Sequence, residues 1–337
     1  MLRSIVADVE QTLRHLLADE IAKTFKAPKE VLESLRRDES TYMSLARGTA
    51  LQAGDLIEAV RNRYLEYRLG LALRQRAEGP QAPATKATER RETVAEALVR
   101  APDADIARTA MDYLLEHSKR IDTTRGPTIR AEELGVALNR RMFFLVSAAL
   151  REDLIRHLNL DEIMLDETLG RLAFEECDRR SQSSSENISE ILASHIAESN
   201  LLKPDVLVSS LSDGQVGLFM ALFAKATGLR TGLVRRIVFE PGGEGLAIAC
   251  KAIGAPRDLF ARMFALTRLA HPELAAQIRI ETRKALAFYD LLKEGEAYQV
   301  LRKWRLTPEY AAAVRELQLG SLPADRPPAI PDRQMQA

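Results

Sequence analysis

The residues most suggestive of chemistry are Pro241-Gly242-Gly243-Glu244-Gly245, because consecutive glycines ahead of a helix can aim backbone N–H groups at an anion. The stretch lacks the Lys-Ser/Thr that closes a Walker loop and the strand-flanked glycine spacing of a dinucleotide fold. A structural reading remains. Pro241-Gly242 supplies a turn, Gly242 or Gly243 takes a left-handed backbone, and the helix starting at Glu244 uses its glycines to approach a neighbour closely. The five histidines, His15, His117, His157, His195 and His271, are dispersed, and none stands at ligand spacing from a cysteine or another histidine, which disfavours zinc. Asp161-Glu162 and Asp166-Glu167 are read as a helix start or solvated acidic face, since nothing around them resembles a calcium loop. Ser209-Ser210 and Ser183 to Ser185 lack a nucleophile elbow, and Cys250 lies on the apolar face of Leu246-Ala-Ile-Ala-Cys-Lys, where a thiol packs as filler. No cofactor or metal is expected, and the balance is against an enzyme.

The elements that would carry these residues are helices. Leu, Ala, Glu and Arg dominate, aromatics make up only 5%, and straight-chain residues lose little rotamer freedom in a helix. Ile5, Val9, Leu13, Leu16, Leu17, Ile21 and Phe25 recur at helical spacing, Pro28 opens a second helix, and the stretch from Arg130 to His157 reads as a long or broken central helix. Residues 217–236 and 243–262 repeat one another at an offset of 26, with Lys225-Ala226-x-Gly228 answered by Lys251-Ala252-x-Gly254. Such a period signals stacked helix pairs, because one pair cannot bury its apolar face alone. A weaker echo runs through Val31-x-Glu33-x-Leu35, Leu56-x-Glu58-x-Val60 and Val94-x-Glu96-x-Leu98, with steps of 25 and 38 residues. The longer step contains a Pro/Ala/Thr stretch at 78–90 that reads as an inserted loop.

These features predict an all-α, HEAT-like helical-repeat solenoid of short helix pairs. Residues 1–180 form an N-terminal array, 188–317 the C-terminal repeats, and 318–337 a proline-rich disordered tail.

The string VFEPGGEGLAIACKAIGAPRDLFAR at 238–262, with Leu218-Phe219 before it, resembles the bacterial family catalogued as domain of unknown function 2336. The stretches EALVR at 96–100 and LVSAALR at 145–151 are similar to that family's N-terminal and central parts, so the resemblance covers most of residues 15–315. It implies a largely helical, repeat-like protein with no assigned activity, and it transfers no site residue.

Charge narrows the functional classes. Basic and acidic residues balance at 48 each, so no global field recruits nucleic acid or an anionic membrane. Locally the balance breaks: residues 151–200 hold twelve acids and five bases, whereas 220–270 hold eight bases and three acids. Either the two segments pair across the array, or Lys225, Arg230, Arg235, Arg236, Arg257 and Arg262 form a groove for an acidic partner. Two cysteines in helical contexts, no leader pattern and no membrane-length apolar run point to the cytoplasm. The expected role is an adaptor or scaffold that holds another protein. The alternative, a nucleic-acid binder, would need Phe239, Phe260 and Phe264 beside the arginines as a stacking platform.

Overall fold

The structure, a computed structural model, describes residues 1–25, 41–78, 92–120, 134–158, 161–183 and 188–307, with isolated positions between and after these ranges. The helix expected from Pro28, the loop at 79–90 and the tail at 318–337 lie outside the described residues. Within them stand fifteen α-helices, three short 3-10 turns and no strand, so the chain is all-α.

Two hydrophobic cores organise these helices. The first is built by α1 (Leu2–Phe25), α2 (Tyr42–Arg47), α6 (Val136–Leu158) and α7 (Glu162–Ser183). In α1, Ile5, Val9, Leu13, Leu17 and Ile21 recur every four residues and are all buried, forming the stripe that packs on α6 and α7. The same helix buries charge. Arg14 Nη2 lies 2.9 Å from Glu10 Oε1, and Glu10 Oε2 accepts from the Thr41 backbone N–H at 2.8 Å and the Thr41 hydroxyl at 3.1 Å.

The second core gathers α4 (Val94–Leu98), α5 (Ala104–Arg120) and the helices between residues 188 and 304. α3 (Gly54–Glu78) joins the two, with Leu56 in the first core and Leu65, Leu69 and Leu73 in the second. Core membership therefore does not follow the break near residue 180, since residues 65–113 share a core with residues 192–301. One tie is explicit. Thr93 and Glu96 close a capping box on α4, and the turn before residue 216 completes it, Asp213 Oδ2 accepting from Val94 N at 2.9 Å and Gln215 Nε2 donating to Thr93 Oγ1 at 3.1 Å.

Beyond residue 188 come three helix pairs: α8 (Ile188–Glu198) with α9 (Pro204–Ser212), α10 (Val216–Thr227) with α11 (Thr231–Phe239), and α12 (Glu244–Ala252) with α13 (Arg257–Thr267). Each pair turns through a left-handed residue, Asn200, Gly228 and Gly254 respectively, at φ 55°, 67° and 67°. The next residue then donates five positions back: Leu201 to Ile196, Leu229 to Ala224 and Ala255 to Cys250, at 2.9–3.1 Å. That bond satisfies a carbonyl the helix end would otherwise orphan. Both 217–236 and 243–262 thus fold as helix–turn–helix, with Leu233 half-buried against the core and Leu259 buried.

The pairs do not lie in an open row. α9 packs directly on α13, reaching past the pair between them, while α10 touches α3, α8, α9 and α11. Its sequence explains this position, because Val216, Leu218 through Ala224 and Thr227 are all buried, and a helix apolar on every side must be surrounded. α14 (Ile278–Leu291) and α15 (Glu294–Trp304) close the far side against α12.

Candidate interaction surface

The glycine turn between α11 and α12 is held from beneath. Gly243 sits at φ +82°, and a Cβ there would come within 2.2 Å of Phe264 Cε2, so both backbone and space demand glycine. Gly242 is different: its φ is not left-handed, and a Cβ would meet only the mobile end of Glu244. Gly245 abuts Ile237 and Glu240, the close approach of two helices expected there. Under the turn lies Arg268, only 1% exposed. Its Nη1 donates to the carbonyls of Glu240 and of Pro241 (2.7 Å), its Nη2 to that of Val238 (2.7 Å), and its guanidinium stacks on Phe264 at 4.8 Å. Burial pulls this guanidinium down to about 10, against the attraction of Glu240 and Glu244. His271 adds a donor, its Nε2–H reaching the Phe239 carbonyl at 3.1 Å. The carbonyls at the end of α11 are thereby capped by side chains, and the turn's backbone is committed to the fold.

Of the six cations singled out from the sequence, three face carboxylates. Arg257 grips Asp290 of α14 at 2.8 and 3.0 Å. Arg235 lies 3.9 Å from Glu66 and Arg236 4.0 Å from Glu58, both on α3. Lys225, Arg230 and Arg262 are exposed and take part in no ion pair among the described residues. Nor does the acidic segment 151–200 answer the basic one. Arg151 engages Asp166 and Glu162, Arg171 engages Glu175 and Glu20, and Arg179 and Arg180 both reach Glu176. These acids sit on α7, apart from Glu20 on α1, beside the first core, while the bases of 220–270 lie among the helices of the second. The two segments do touch where α8 packs on α10, and there Glu190 accepts from the Thr231 hydroxyl at 2.7 Å.

One face of α3 borders a groove. Glu58, Arg61, Asn62 and Leu65, spaced as one helical stripe, form one wall. Leu233, Arg236, Ile237, Phe239, Glu240 and Pro241 form the other, and Trp304 at the end of α15 closes the side. The space amounts to about 460 Å³. Its buried lining residues Leu65, Ile237 and Phe239 are apolar, and its exposed ones, Glu58, Arg61, Arg236 and Glu240, carry both signs of charge. Trp304 brought a second cluster into view that the sequence did not offer: Arg305, the next residue, donates from Nε to the Thr227 carbonyl at 2.9 Å and lies over Gly228. Arg302, one turn back, is exposed as well. A chain separation of about 75 residues hides this meeting from any local reading. The neighbouring stripe of α3, Arg63, Glu66, Tyr67, Gly70 and Arg74, lines a smaller cleft of about 50 Å³ with Tyr113 and His117, whose stacked rings stand 5.3 Å apart. Its arginines and glutamates balance, so its charge selects no ligand.

Other candidates have structural places. Asp161 caps α7 by accepting from Met164 N at 2.8 Å, and both cysteines are buried free thiols. Phe239, Phe260 and Phe264 are buried in the second core, so the stacking platform sought for nucleic acid is absent at these positions. His15, His117, His195 and His271 stand on different elements, and no three metal-ligating side chains converge among the described residues. No helix among them is long and apolar enough to cross a membrane.

Among the described residues the fold is all-helical, most of the polar features above serve packing and capping, and a groove beside α3 and a cationic cluster without ion pairs remain. The chain belongs to the family described as an uncharacterised protein conserved in bacteria (DUF2336), whose family model matches residues 43–302. No curated protein and no solved structure matches it.

Proposed function

We propose that the protein is an adaptor that binds a segment of another protein in the groove between α3, α11 and α15. The observation that carries this reading is the groove's make-up, buried apolar Leu65, Ile237 and Phe239 and a half-buried Trp304 among exposed side chains of both charges, a mixture that protein contacts share. On this reading the three pairs after residue 188 are a short HEAT-like helical-repeat array. It is curled so that α10 fills the space an open solenoid would offer a partner, which moves binding to the α3 side. A cytoplasmic setting belongs to the same proposal and is supported by the two free thiols.

A photo-crosslinking residue placed at Asn62, with Phe174 on α7 as the control position, tests it in living bacteria. Discrete crosslinked products from position 62 and none from 174 are expected, and Arg61→Glu with Arg236→Glu should abolish them. Equal labelling from both positions would remove the groove from consideration.

A further inference from the structure

We infer that the cluster Lys225, Arg230, Arg302 and Arg305, where the turn after α10 meets the end of α15, binds an acidic polypeptide segment. This rests on the adaptor reading and specifies the partner's chemistry. Three observations carry it. All four side chains are exposed, and among the described residues none is in an ion pair, whereas Arg235, Arg236 and Arg257 of the same basic region each face a carboxylate. The cluster is also preorganised. Arg305 is fixed by its bond to the Thr227 carbonyl and by Tyr298, whose ring centre lies 5.9 Å from its guanidinium, so its remaining donors are presented with little further ordering. Finally, the cluster continues the groove: Trp304 precedes Arg305, and Leu233, a groove residue, follows Arg230 by one turn. A segment lying along the groove would bring its next residues onto these cations.

Part of the clustering has a local cause, since cations suit the C-terminal ends of α10 and α15. That effect satisfies helix ends and leaves the outward charge uncompensated. An acidic peptide suits the site better than a nucleic acid, which needs a long track of phosphate contacts with exposed stacking rings. Phe239, Phe260 and Phe264 are buried, and Tyr298, exposed beside the cluster, has Arg305 over it at 5.9 Å.

The test uses the full chain and fluorescence anisotropy with a short fluorescein-labelled peptide of alternating glutamate and alanine, beside labelled oligo-deoxythymidine and phosphatidylserine vesicles. The peptide should bind at low salt and weaken about tenfold by physiological salt. Lys225→Glu with Arg302→Glu should lower its affinity at least about tenfold, while Arg257→Glu with Arg262→Glu should change it less than about twofold. Arg305 is left intact because it also caps α10, and unchanged circular dichroism and melting confirm the fold of each variant. No peptide binding, equal loss in both double variants, or tighter binding of oligonucleotide or vesicle would overturn the assignment. Loss of groove crosslinks with peptide binding retained would remove the groove reading and leave the acidic site standing.

Discussion

The two cores solve one problem, how to bury an arginine, in different ways. In the first, arginine meets carboxylate: Arg14 lies against Glu10 and Arg180 against Glu176, each four residues apart on one helix. In the second, Arg63 is again paired, with Glu66 on α3, but the more deeply buried Arg268 is in no ion pair among the described residues, and its Nη1 and Nη2 donate to the carbonyls that end α11. A paired charge can be neutralised by protonating its partner, whereas a carbonyl offers no such control. The first core should therefore respond to acid and to removal of a single charge, and the second to changes in backbone shape. The same contrast explains why the leftover cations belong to the second core. Between residues 188 and 307 bases outnumber acids by sixteen to twelve, and the bases of α7 are used up by acids on α1 and α7 itself.

The largest effect should come from shape. Gly243→Val combines a left-handed backbone with a direct collision against Phe264, and we expect a loss of about 3–5 kcal/mol or failure to fold. Gly242→Ala should cost less than about 1 kcal/mol, since only the Glu244 carboxylate must move. Chemical denaturation of the two variants decides whether the turn is as asymmetric as described; similar losses would contradict it.

Next comes removal of one charge from a buried pair. Glu10→Ala takes the carboxylate from Arg14 and leaves the Thr41 backbone N–H and hydroxyl without the acceptor they share, so a loss of about 3–5 kcal/mol is expected, largely recovered when Arg14→Met is added. Arg268→Met orphans three carbonyls and should cost about 2–4 kcal/mol, with no single second substitution to restore it. If Arg14→Met fails to rescue, the first core is not held in the way proposed.

Titration should separate the cores without mutation. Burial raises the Cys250 thiol and holds the Tyr289 phenol up to about 12. For groups raised in the fold, stability is intact below their unfolded values of 9.0 and 10.0 and drains as pH climbs through the folded ones. Cys177 in the first core is raised by burial too, so the alkaline loss is shared but falls mainly on the second core. Glu176 runs the other way. Its own burial would raise it, but Arg179 and Arg180 together hold its carboxyl below the usual 4.5, so its contribution is present above that value and lost as pH falls beneath it. Hydrogen exchange read by peptide should show residues 246–301 opening first above about pH 10 and residues 136–183 first below about pH 4. Both cores yielding together at both extremes would erase the distinction.

The smallest effect sharpens the surface comparison. Arg257 and Asp290 are both exposed, and Arg257→Ala should cost less than about 1 kcal/mol despite the bidentate geometry. A larger loss in thermal melting would mean that this pair anchors α14.

Much of this architecture was legible beforehand, for reasons that are local. The stripe on α1, the wholly apolar α10, the turns at Gly228 and Gly254 and the glutamates four residues from Arg14 and Arg180 all follow from periodicity, helix-end chemistry and short-range spacing, which a sequence states directly. The all-α class and the helix–turn–helix form of the repeated segments come from the same source. What only the tertiary structure decided is which remote pieces meet. That α9 passes over to α13, that α3 faces Arg235 and Arg236 with glutamates, and that Arg268 turns inward while Arg230 stays outside depend on contacts across tens to hundreds of residues. Charge counts along the chain could not divide the basic segment into paired, buried and free members, because ion pairing falls off within a few ångströms and chain distance is no measure of that separation.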